Sequence, residues 1–226
     1  MAAKIPRWET ELWSYISSGD GENCPFCNGC PIKLSGKWCP DEHKLRIAQL
    51  LDDEQFDLTD YDFIECGTCG GIIRLLEMLA ERYLKENGID CLPVPTELAL
   101  KIEDENPVEV RMVPLRVHHG AMWCLKDGTV IQIRDDDPPA EKRLTLFHEL
   151  FHVLARQKST PVFRKTGARR GSFNELLANS FAGFMLMPQG WIKEKWAEVK
   201  DLDKMAEIFD VPKPTMCVRL KYLGFI

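Results

Sequence analysis

Five histidines occur in 226 residues, and two of them stand in His148-Glu149-Leu150-Phe151-His152. On a helix, residues four apart share a face, so both imidazoles can reach one zinc ion. Glu149, about 100° further round, can reach a water on that metal. The chemistry implied is hydrolysis. Zinc draws the pKa of its water towards about 7 and polarises a scissile carbonyl, while a nearby carboxylate takes the proton and passes it to the leaving amine. The competing reading, a pair of surface histidines, needs three specified residues to coincide by accident on a well-formed helix.

A catalytic zinc needs a third protein ligand, and after two histidines the usual choice is a carboxylate on a following helix. Glu175 is the candidate. It lies 23 residues past His152, near the start of the apolar run Asn174-Glu-Leu-Leu-Ala-Asn-Ser-Phe-Ala-Gly-Phe-Met-Leu-Met-Pro188. Ser172-Phe-Asn-Glu175 fits a capping box equally well, with Glu175 folded back onto its own backbone, and spacing alone leaves the two readings level. Asn179, one turn later on the same face, could hydrogen-bond a liganding histidine or face solvent. His118, His119, Arg169, Arg170 and Tyr222 have chemistry suited to stabilising an oxyanion, and each also reads as an ordinary exposed polar residue.

The elements that must position these groups follow from hydrophobic period and turn residues. Ile72–Leu84 has helical spacing and stops at Asn87-Gly88, with Pro93 and Pro95 blocking continuation. A short helix is expected over Thr96–Ile102. Val108–Val117, Ala121–Leu125 and Thr129–Arg134 read as strands, with Asp127-Gly128 as a hairpin signal, so a small antiparallel sheet is expected. Glu141–Ala155 places apolar residues at 144, 147, 150, 151 and 154 on one helical face. A polar loop over 156–171 precedes a helix beginning near Ser172 and ending at Pro188-Gln-Gly190. Three further helical segments, Trp191–Val199, Leu202–Phe209 and Met216–Leu223, complete an α+β chain.

Arg143-Leu-Thr-Leu-Phe-His-Glu-Leu-Phe-His152, followed by Asn174-Glu-Leu-Leu-Ala-Asn-Ser-Phe-Ala182 and Leu186-Met-Pro188, resembles the ImmA/IrrE family of zinc metallopeptidases. The tail, Met205-Ala-Glu-Ile-Phe-Asp-Val-Pro212 and Arg219-Leu-Lys-Tyr-Leu-Gly224, is similar to that family's helix-turn-helix-like ending. The resemblance covers roughly residues 74–226. It implies a zincin-like helical core with Glu175 as third zinc ligand and Asn179 as the partner of a liganding histidine. It also implies a substrate class, helix-turn-helix transcriptional repressors of phages, mobile elements or stress responses. Two residues depart from the pattern: Phe151 stands where a small residue usually precedes the second histidine, and Leu177 where an acidic residue is common.

The front of the chain is different in composition. Six of the nine cysteines lie between Cys24 and Cys69, and residues 1–72 hold six Lys and Arg against thirteen Asp and Glu, which accounts for the overall charge of −6. Cys24-Pro-Phe-Cys27 and Cys66-Gly-Thr-Cys69 are knuckle-like pairs that together suit a structural zinc. Cys30 and Cys39-Pro40 leave an iron–sulfur cluster or redox centre as the alternative, although the spacing of a usual cluster run is not kept. Cys91, Cys124 and Cys217 sit in apolar contexts and read as buried small hydrophobes. The expected division is therefore a cysteine-rich, metal-binding module over 1–71, a peptidase core over 72–190 and a helical tail over 191–226.

Composition bounds the rest. The chain is 45% hydrophobic and 28% charged with a mean hydropathy of −0.23, an ordinary globular balance. No apolar run approaches the roughly 18 residues of a spanning helix, so no membrane association is expected. No secretory signal is visible, and a cytoplasmic location is the expectation. Residues 201–226 hold four basic and four acidic side chains, which argues against direct nucleic-acid binding and for packing or substrate docking. The sequence points to a cytoplasmic zinc endopeptidase. Its alternatives are a regulatory protein that binds a repressor without cutting it, and a metal or redox sensor whose cysteine site gates the peptidase.

Overall fold

A computed structural model describes residues 70–101, 107–125, 128–155 and 168–226, together with Glu9 and Trp13. The expectations for Cys24, Cys27, Cys30, Cys39, Cys66 and Cys69 fall outside the described residues. The chain divides into two compact units, Met1–Leu79 and Ala80–Ile226, and the candidate site belongs wholly to the second. Seven helices and three strands are present among the described residues.

Helix α1, Gly70–Glu86, ends as its sequence requires. Gly88 takes the left-handed conformation at φ +64°, which a side chain would oppose, and Ile89 N–H bonds back to the Leu84 carbonyl at 2.9 Å. Helix α2 is a single turn, Leu98–Lys101. The strands are β1, Val108–Val113; β2, Gly120–Leu125; and β3, Gly128–Arg134.

The sheet is mixed, not antiparallel as expected. Strand order is β1-β3-β2, with β2 and β3 antiparallel and β1 parallel to β3. The hairpin signal correctly pairs β2 with β3, since a tight turn forces opposite directions. The chain also reverses between β1 and β2, so β3 runs in the direction of β1. It inserts between the other two strands, placing Val108 opposite Thr129 and Val113 opposite Arg134. The first strand is shorter than Val108–Val117: Leu115 N–H turns back to the Val113 carbonyl at 2.8 Å, and Val117 is exposed.

Helix α3, Pro139–Leu154, packs across β2 and β3 and against α4, Ala168–Leu186. It is the central element of this unit. Ala121, Met122, Val130, Ile131 and Ile133 of the sheet are buried, as are Leu146, Phe147, Leu150, Phe151 and Val153 of α3, and Leu177, Ala178 and Phe181 to Leu186 of α4 with Met187 after it. Burial extends beyond the predicted apolar stripe of α3, because Arg143, Thr145 and Glu149 are enclosed too. Arg143 holds Val94 through its carbonyl and Asp210 at 2.9 Å, joining α3 to both sequence neighbours of the core.

Helices α5, Gln189–Val199, α6, Leu202–Phe209, and α7, Lys213–Tyr222, follow with short connections. Asp201 caps α6 by accepting Lys204 N–H at 2.9 Å. Met205, Phe209, Val211, Met216 and Leu220 are buried. Arg219 is buried as well, donating to the Met187 carbonyl at 3.1 Å and stacking over Phe184, while Lys213 pairs with Asp203 at 2.6 Å. Among the described residues no helix is long and apolar enough to cross a membrane.

The remaining cysteines correct an expectation. Cys91 and Cys124 are exposed and Cys217 is only half-buried. Cys124 lies at the outer end of β2, where burial has already faded, and Cys91 lies in a bend whose next exposed residue is Pro93. An apolar sequence context there reflects neighbours pointing elsewhere, not a buried thiol.

Candidate metal centre

His148 and His152 lie one turn apart on α3, so their rings emerge from the same face, with centroids 5.0 Å apart and Nε2 atoms 3.2 Å apart. Glu175 comes from α4 and reaches both: its Oε2 is 3.1 Å from His148 Nε2 and its Oε1 is 3.4 Å from His152 Nε2. These three side chains form the group able to hold a metal ion among the described residues.

Helix α4 resolves the two readings of Glu175 by where it begins. It starts at Ala168, four residues ahead of Ser172, so Ser172 lies inside the helix and Glu175 lies beyond the first turn that a capping box occupies. The carboxylate is thereby free to point at the imidazoles. Asn179, one turn on, is exposed but bonded: its Oδ1 is 2.8 Å from His148 Nδ1. Since a carbonyl oxygen only accepts, Nδ1 carries a proton in this contact, which leaves Nε2 as the ring atom turned to Glu175 and able to hold a metal.

The donor set fits zinc. For tetrahedral coordination at about 2.0–2.1 Å, neighbouring ligand atoms stand about 3.3 Å apart, and the three separations here are 3.1, 3.2 and 3.4 Å. Two imidazoles and one carboxylate are also a ligand set that leaves a catalytic zinc an open position.

Electrostatics favour a cation at this point. Burial works against the charged form of His148, yet the hydrogen bond it donates to Glu175 and the charges of Glu149 and Glu175 outweigh it and raise its pKa. The hydrogen bonds from His148 and then His152 hold the Glu175 carboxyl well below the usual carboxylate range. Glu149 moves the other way: burial raises its pKa, partly offset by the two histidines. Its residue is 8% exposed, whereas the side chains of His148 and His152 are 15% and 12% exposed and that of Glu175 is 57% exposed. The three α3 groups are sunk in the fold, and the α4 carboxylate stands at its surface.

Phe151, one of the two departures noted above, is fully buried. Its ring lies 5.6 Å from that of Phe181 and 5.9 Å from that of His152. A large residue thus fills the floor beneath the second histidine. Leu177 is fully buried too.

Two of the oxyanion candidates are held by other groups. His119 bonds Asp137 at 2.7 Å, and Tyr222 packs with Phe184 and Arg219 in the tail. The side chains of Arg169 and Arg170 lie outside those described. Sequence reasoning passed over two residues that shape the site. Arg143 continues the helical stripe 143, 147, 150, 154, so its buried position was open to reading. Gly120 gave no local signal, and its role emerges from what it touches.

Residues 103–221 match the family described as Peptidase M78, IrrE N-terminal-like domain. Among solved structures, the chain is similar to a Mycobacterium tuberculosis transcriptional regulator, with 19% sequence identity and a TM-score of 0.49. The match covers 65% of this chain and 46% of that one, so the chain corresponds to less than half of that protein's length. A search of curated proteins finds no match.

Proposed function

This chain belongs to the Peptidase M78 family of IrrE N-terminal-like domains, and from that premise we propose that it is a zinc-dependent endopeptidase. The reading is carried by one observation: donor atoms from two helices converge at the edge lengths of a zinc tetrahedron beside a buried carboxylate. His148, His152 and Glu175 hold the ion in this reading. When bound, zinc supplies an acidified water and a Lewis acid for the scissile carbonyl.

Glu149 is the general base. Its raised pKa makes it a better proton acceptor than an exposed carboxylate, and its place beside the histidines lets it deliver that proton to the leaving amine. Asn179 keeps His148 in the tautomer and orientation that present Nε2. Phe151 and Phe181 keep water from the underside of His152.

The substrate is a protein, and the narrower identification as a helix-turn-helix transcriptional repressor of a phage, mobile element or stress response is supported by the likeness of the paired motifs and tail. Residues 1–71 are proposed as an added cysteine-rich module with a structural zinc on Cys24, Cys27, Cys66 and Cys69, preceding a core over 72–190 and a tail over 191–226. A purified protein whose brown colour bleaches on reduction would instead assign an iron–sulfur cluster to that module.

The test is to incubate the zinc-loaded protein with the repressor encoded beside its gene and read product masses. Cleavage is expected with the wild type, and Glu149→Gln should keep its zinc yet leave the repressor intact. A Glu149→Gln protein that cleaves at the wild-type rate overturns the assignment. An intact repressor that loses DNA binding in proportion to added protein would favour a binding protein that does not cut.

A further inference from the structure

Gly120 opens β2 directly against the helix that carries Glu149. A Cβ at this position would lie 2.5 Å from Thr145 Cγ2, 2.7 Å from Glu149 Oε1 and 3.1 Å from Glu149 Cγ. All three are shorter than the roughly 3.5–4.0 Å of a relaxed carbon contact. Thr145 and Glu149 are four residues apart, so they form the stripe of α3 that the strand covers. The bare backbone of Gly120 is one wall of the space in which the Glu149 carboxylate sits.

We propose that Gly120 is a positioning residue for the peptidase reaction: its missing side chain fixes where the Glu149 carboxylate stands relative to His148 and His152. The proposal rests on the peptidase reading above. It concerns a residue that holds the base, not one that touches substrate.

The neighbours decide which group would yield to an added methyl. The strand cannot easily retreat. Gly120 is in register with Ile133, Arg134 N–H donates to the His119 carbonyl at 2.8 Å, and the His119 ring is tied through Nδ1 to Asp137 at 2.7 Å, just ahead of α3. Thr145 is buried, and its branched side chain is confined to few rotamers in a helix. Glu149 has three side-chain torsions and its carboxylate is the far end of a flexible chain. The base is therefore the part that moves, and misplacing a reacting group by about 1 Å costs on the order of 10²-fold in rate.

A buried glycine elsewhere in the unit supplies the contrast. Gly183, inside α4, would place a Cβ no nearer than 3.6 Å to Met187 Cε, an ordinary contact. Gly183→Ala thus adds the same methyl to the interior of α4 without pressing on the site.

The experiment compares wild type, Gly120→Ala, Gly120→Ala with Thr145→Ser, and Gly183→Ala as full-length zinc-loaded chains. Zinc content, Tm, kcat, KM and a crystal structure are read for each. Thr145→Ser deletes the methyl that an alanine would strike at 2.5 Å, leaving Glu149 as the remaining obstacle. Gly120→Ala is expected to retain zinc, to lose about 10²-fold in kcat with KM nearly unchanged, and to show the Glu149 carboxylate displaced. The double variant should recover Tm but not kcat, and Gly183→Ala should match wild type in kcat. Full kcat in a folded, zinc-loaded Gly120→Ala, or recovery of kcat together with Tm in the double variant, overturns the proposal. Should Gly120→Ala fail to fold, the double variant decides alone. A wild type that cleaves nothing rejects the peptidase reading instead, and the crystal structures still rule on Gly120: a displaced carboxylate supports it and an unmoved one refutes it.

Discussion

Helices α3 and α4 both contribute to the candidate site, but they hold their residues by different means. Along α3, burial runs through Arg143, Thr145, Phe147, Glu149, Phe151 and Val153, so His148 and His152 are placed by a helix that the core grips from several sides. Along α4, burial is continuous only from Phe181 onwards, and Glu175 and Asn179 stand on its exposed face. Packing fixes the first pair of groups. Hydrogen bonds to the histidines fix the second. A ligand set by packing is present whether or not the ion is bound, whereas one set by hydrogen bonds depends on what lies at the centre.

The difference can be broken by substitution. The largest effect is expected beneath α3: Phe151→Ala removes a fully buried ring and should destabilise the metal-free protein by about 3–5 kcal/mol, read by denaturant unfolding. A loss under about 1 kcal/mol would mean that α3 is not held by the core as described. Next comes Glu175→Ala, which should weaken zinc binding by more than about 10²-fold in a competition titration, exceeding the effect of removing a supporting partner. Its metal-free stability should change far less than that of Phe151→Ala, because the side chain is largely exposed. Equal losses of stability in the two variants would erase the contrast between the helices. Asn179→Ala comes last, with zinc affinity falling about 10–100-fold and the fold intact. Unchanged affinity would show that the Asn179 hydrogen bond does not orient His148.

The same division explains what was readable in the sequence. His148, Glu149 and His152 are related by local helical geometry, so their spacing alone carried the chemistry, and α3 begins and ends within two residues of its predicted bounds. On spacing alone Glu175 stood level between two readings, a tie that only the family resemblance broke, because the answer depends on where α4 begins, four residues ahead of Ser172. The exposed Cys124 and Cys91 were misread for a related reason: hydrophobic neighbours in sequence do not say which face of a strand end or bend meets the core.

Local order was thus written in the chain: the helical period of α3, the turn at Gly88, the hairpin joining β2 to β3, and the zinc-type pairing of two histidines. The tertiary structure alone decided the parallel placement of β1 and the close approach of Gly120 to Glu149, and it supplied the geometry of what only the resemblance had implied, the direction of Glu175 and the bond between Asn179 and His148. Each of these joins groups about 20 or more residues apart in sequence. Their geometry comes from how whole elements pack, and no short window of sequence contains that information.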